Sequence, residues 1–102
     1  MEDLLKNASE GDVLTVVYDK TAMNGKNSYE DEMTVRVTDA NPHPPSLLRG
    51  ESTVAVVSIN DDGEPTKNTG YIGMNSLGGC EMKPDNSYFP AERAKSLRKG
   101  DA

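Results

Sequence analysis

Met33-Thr34-Val35-Arg36-Val37-Thr38 alternates apolar with polar side chains over six residues. A period of two places Met33, Val35 and Val37 on one face and Thr34, Arg36 and Thr38 on the other, the pattern of a half-buried strand. Upstream, Val13-Leu14-Thr15-Val16-Val17-Tyr18 is β-branched and preceded by Glu10-Gly11-Asp12, so it reads as a second strand. There Leu14, Val16 and Tyr18 share a face opposite Val13, Thr15 and Val17. Downstream, Thr53-Val54-Ala55-Val56-Val57-Ser58-Ile59 is the most apolar run in the chain and is expected at the centre of a sheet. Asn60-Asp61-Asp62-Gly63-Glu64-Pro65 then turns the chain, with Asp-Gly as the hairpin signal. Tyr71-Ile72-Gly73-Met74 predicts a short fourth strand, and Cys80-Glu81-Met82, after the Gly78-Gly79 turn, a weak fifth.

The connections differ in character. Residues 19–31 are polar around Asn24-Gly25 and longer than a tight hairpin needs, which predicts a loose tip or an extension of the strands. Asn41-Pro42-His43-Pro44-Pro45 holds three prolines in four residues and reads as an extended link. Residues 2–8 predict one or two helical turns with Leu4 and Leu5 on the buried side, ending before Gly11. Residues 90–99 combine helix formers with Pro90 in the first turn, Gly100 behind and cations toward the C-terminal end. They predict a C-terminal helix with Ala94 and Leu97 as a narrow apolar stripe, anchored at its start by Tyr88 and Phe89.

The expected fold is therefore mainly β with a minor α component. It is a small antiparallel barrel or curved sheet of four or five strands, with a short N-terminal helix and a C-terminal helix. The division expected is a β-barrel domain over residues 1–89 and a basic helix or tail over 90–102. A short helix leading into such strands resembles the general layout of Sm-like and SH3-like barrels, in architecture alone and without a shared motif.

Composition narrows the function classes. The chain has 102 residues with 11 Lys and Arg against 17 Asp and Glu, a formal charge of −6. Leu, Ile, Val and Phe total only 18 residues, which brings disorder into view. The strand patterning argues against it and predicts a thin core filled by Val and Met. No apolar run approaches the ~18 residues of a membrane span. The N-terminal residues lack the basic and apolar regions of a signal peptide, so a cytoplasmic location is expected. One cysteine excludes an internal disulfide and a four-cysteine zinc cage. Seven lysines against seventeen acids also suit a high-salt cytoplasm, where screening removes self-repulsion.

No stretch carries a catalytic signature. His43 lacks a second histidine or nearby cysteine as a co-ligand. Cys80 lies beside Glu81, whose charge raises rather than lowers a thiol pKa. If Gly63 held the sixth position of an EF-hand loop, Ser58 and Thr69 would hold the first and twelfth, and neither is a carboxylate. The glycines fit neither a phosphate loop nor a dinucleotide fingerprint. No cofactor is implied.

The tail departs from the acidic background. Arg93, Lys95, Arg98 and Lys99 against Glu92 and Asp101 make residues 90–102 net +2, and the remainder is −8. Such cations can dock on the acidic barrel of their own or a neighbouring chain, contact phosphates, or complement a helix dipole. The expected function is a non-enzymatic binding module acting on a protein partner or on itself. It would act at a barrel edge, at the 19–31 tip or through the tail. Arg93, Lys95, Arg98, Lys99 and Tyr88 are the candidate binding residues. One alternative is nucleic-acid binding through the basic helix. A further alternative is an enzyme or metal site where Asp61, Asp62 and Glu64 meet Cys80 or His43.

Overall fold

Val and Thr are the commonest residues of the strands, because their branched side chains pack well on a pleated surface. The computed structural model describes residues 1–21, 28–45, 47–85 and 88–100. It contains α1 (Glu2–Lys6), β1 (Val13–Thr21), β2 (Ser28–Asp39), β3 (Leu48–Ile59), β4 (Pro65–Asn75), β5 (Cys80–Pro84) and β6 (Ala94–Lys99). The six strands form one antiparallel sheet in the order β5-β4-β3-β2-β1-β6, with the apolar β3 in its interior as its composition predicts.

The inward face is the one the alternation selects. Leu14, Val16, Val35, Val37, Val54, Val56 and Ile72 are at most 1% exposed. Met82, Cys80 and Phe89 complete this core, and Leu5 closes it from α1. Glu2 holds the helix to β3 through a 3.0 Å ion pair with Arg49. The β3–β4 turn is built as Asp-Gly predicts. The Asn60 side-chain oxygen accepts the N–H groups of Asp62 and Glu64, and Gly63 takes φ +80.

Two expectations require correction. The sheet has six strands and does not close into a barrel. Edge strand β5 is linked to the lead-in of β6 by a bridge that joins Glu81 to Arg93 and by the Met82 N–H, which donates to the Glu92 carbonyl. Residues 94–99 are a strand on β1, not a C-terminal helix. The misleading signal was the three-residue spacing of Ala94 and Leu97, which in an uninterrupted strand would put them on opposite faces. A bulge resolves it. Val17 faces Ser96 and Tyr18 faces Ala94, so Lys95 is an extra residue without a partner on β1. Ala94 and Leu97 thereby both stand on the core side, opposite Tyr18 and Val16. No helix among the described residues is long and apolar enough to cross a membrane.

Candidate binding edge and the basic C-terminal strand

The tail cations meet carboxylates of their own sheet. Lys95 Nζ lies 2.9 Å from Glu30 and 3.5 Å from Asp19, Arg98 lies 3.5 Å from Glu32, and Lys99 lies 4.0 Å from Asp12. The hydrogen bond from Lys95 to Glu30, then the Asp19 charge, raises the Lys95 pKa. Arg93 is exposed and forms no ion pair among the described residues. Tyr88 is 96% exposed, while its neighbour Phe89 is buried at 3%. Phe89 thus anchors the entry to β6, a role the sequence assigned to the pair. Arg93, Lys95, Arg98 and Lys99 lie along one strand and its lead-in, but three of the four are engaged within the sheet.

The groups considered for chemistry do not gather. Among the described residues no three His, Cys, Asp or Glu side chains are grouped to hold a metal. Asp61, Asp62 and Glu64 are exposed on the β3–β4 turn, and His43 is exposed in the proline-rich link. Cys80 is 1% exposed, and burial pushes its thiol up to about 11.

The distinctive geometry lies along β2. On one side, β2 pairs with β1 continuously from Ser28 opposite Thr21 to Arg36 opposite Val13. On the other side, β3 joins only from Val35, opposite Ser58, onward. Among the described residues, Ser28–Thr34 therefore have no ladder partner on the β3 side; of their backbone groups, the Glu32 N–H donates to the Asp31 carboxylate at 2.9 Å. On the far side of the same ribbon, β6 stops at Ala94 opposite Tyr18. The two strands project beyond their neighbours on both flanks, which is the strand extension anticipated for residues 19–31; residues 22–27 lie outside the described residues.

A groove of about 680 Å³ runs where β3 leaves β2. Glu32, Met33, Thr34 and Arg36 line one wall, and Ser58 to Gly63 line the other. Arg36 Nη2 donates to the Gly63 carbonyl at 3.0 Å, tying the turn to the strand. Asp31, Asp61, Asp62 and Glu64 have no cationic partner among the described residues. Tyr18 Oη donates to Asp31 at 3.4 Å. Sequence reasoning named only the edge of a barrel, which the open sheet does not form. The available signal was the length of the polar run before Met33, which has no counterpart in β3.

No protein-family model, curated protein or solved structure matches this chain.

Proposed function

We propose that this chain is a non-enzymatic binding module that takes an extended polypeptide as an added strand on β2. The observation that carries this is the ladder. Among the described residues, seven in a row, Ser28–Thr34, have a strand partner on one side only, and the last three of them line the groove. Such an edge supplies main-chain affinity without a specific side-chain lock, and the flanking groove supplies selectivity. Nucleic-acid binding through the tail draws less support, because Lys95, Arg98 and Lys99 already face carboxylates.

The test is selection of nine-residue peptides from a randomised library, followed by titration into ¹⁵N-labelled protein. Selected peptides are expected to shift the amides of 28–34 and slow their hydrogen exchange. Selection that yields no binder, or binders that shift β6 and residues 90–93 instead, refutes the proposal. A parallel titration with single-stranded DNA and RNA at several salt concentrations checks the tail directly.

A further inference from the structure

We infer that the segment received by β2 is cationic, with basic residues at alternate positions, and is not a second copy of this chain. The inference rests on the edge reading above and adds the chemistry of the partner. An antiparallel guest would continue the line that β3 abandons at Ser58. At roughly 3.4 Å per residue, the seven open residues accommodate a guest about 24 Å long. Its side chains would alternate between two environments. Outer positions would stand beside Glu30, Glu32 and Thr34, and inner positions beside Tyr29, Asp31 and Met33, following the alternation that puts Met33 opposite Val16 in the core register. Tyr29 is 49% exposed and Met33 only partly buried, so an apolar inner residue gains cover there.

The charge of this surface selects the outer residues. Asp61 and Asp62 on the groove's far wall are uncompensated. Glu30 and Glu32 are touched by Lys95 and Arg98, but these are exposed pairs, weak and readily shared. Arg36 donates to the neutral Gly63 carbonyl and keeps its charge, so the groove sets one cation against Glu32, Asp61 and Asp62. A second copy pairing edge to edge would bring Glu30-Asp31-Glu32 against the same run, and like charges facing across a ladder are destabilising. The net charge of −6 adds long-range attraction for a cationic segment and repulsion for another copy.

Three synthetic peptides test this against the intact chain: Ac-KVKVKVKVK-NH2, Ac-EVEVEVEVE-NH2 and Ac-KVKPKVKVK-NH2. The third keeps the charge but breaks the strand. Dissociation constants and amide shifts are read by NMR at low and high KCl. The first peptide is expected to bind at 28–34 and 58–63, at least about tenfold more tightly than the proline peptide, with affinity falling as salt rises. The double substitution Asp61→Asn/Asp62→Asn, on exposed turn side chains, is expected to weaken it about fivefold. Equal binding by the glutamate peptide at 28–34 overturns the charge inference and leaves the edge reading standing. Equal binding by the lysine and proline peptides, with shifts scattered over the acidic surface, overturns the inference as plain charge attraction. Absence of any shift at 28–34 with all three peptides overturns the edge reading itself. A dimer in sedimentation whose contacts map to 28–34 also overturns the inference, since a second copy then fills the edge.

Discussion

The packing of Phe89 over Gly70 offers a sharp test of how the sheet is held at its seam. Gly70 lies on β4, and a Cβ built there would run into the Phe89 ring and come within 2.5 Å of the Lys83 carbonyl oxygen. Phe89 is the only phenylalanine and is 3% exposed. The ring therefore occupies space that exists because residue 70 has no side chain. Gly70→Ala is expected to cost about 2–3 kcal/mol through overpacking. Phe89→Leu is expected to cost about 1–2 kcal/mol through lost apolar area and an unfilled gap. Independent sites would bring the double variant to about 3–5 kcal/mol below the wild type. The geometry predicts a smaller loss, by about 1–1.5 kcal/mol, because the shorter side chain makes room for the new methyl. The Lys83 contact persists in both backgrounds and keeps the coupling from being complete. A domain of this size has roughly 5–15 kcal/mol in total, so all four proteins can be compared by urea denaturation in one buffer. Additivity within about 0.5 kcal/mol would refute the claim that ring and glycine share one space.

Other consequences concern titration, reactivity and turn strain. Burial, then the Asp31 carboxylate, pushes the Tyr18 hydroxyl up to about 12 from 10.0, and burial pushes the Cys80 thiol up to about 11 from 9.0. Both groups hold their protons more tightly when folded. Their contribution is complete below the unfolded value and is lost as pH climbs through the folded one. Urea midpoints are thus expected to fall from about pH 9 upward, with Tyr18→Phe flattening the part between 10 and 12; an identical slope in that variant contradicts the assignment. At pH 8 in the native state, Cys80 is expected to react with a disulfide reagent at least about 1,000-fold more slowly than in the unfolded chain, and a fast native reaction disproves its burial. Gly63→Ala is expected to cost about 1 kcal/mol from backbone strain alone, since φ is +80 and a Cβ there meets nothing within 4 Å. Gly73→Ala is expected to cost more, about 2–3 kcal/mol, because its Cβ meets that of buried Thr53 at 2.8 Å; equal losses at the two glycines would contradict this ranking.

Much of the sheet was legible because alternation and burial act on the same residues. Val35 and Val37 point inward as their spacing requires, and Leu14, Val16 and Tyr18 share the core face. Strand lengths were less legible. Residues 65–70 are polar and extend along a ladder with β3 that breaks between Val57 and Ile59, and of 48–52 only Leu48 has a partner on β4, Asn75. Pro65 is tolerated as the first residue of β4, where a missing N–H costs little. The last segment misled for a physical reason. Ala, Glu, Arg, Lys and Leu favour a helix locally, but a row of carboxylates on β1 and β2 and an open flank of β1 draw the same residues into a strand. The bulge at Lys95, invisible without the partner strand, reconciles the helical spacing with a strand's faces. The open edge of β2 was legible only as a mismatch of lengths.

The sheet treats its edges differently, and the difference bears on function. β5 is five residues long, ends in Pro84 and is bridged by the lead-in to β6. β6 carries Lys95, Arg98 and Lys99 and bends at its bulge. Short length, proline, cations and bulges are the devices that keep a terminal edge from recruiting stray strands. The exposed flank of Ser28–Thr34 has neither a bulge nor a proline; its deterrents are acidic charge and the Asp31 carboxylate that takes the Glu32 N–H. Charge is a selective deterrent. It repels a second copy of an acidic chain and any acidic segment, yet it adds attraction for a basic one. Removing it separates the two roles. Glu30→Gln/Asp31→Asn/Glu32→Gln is expected to raise self-association measured by sedimentation while weakening the lysine-valine peptide. A variant that stays monomeric and binds that peptide unchanged would show that these three carboxylates govern neither.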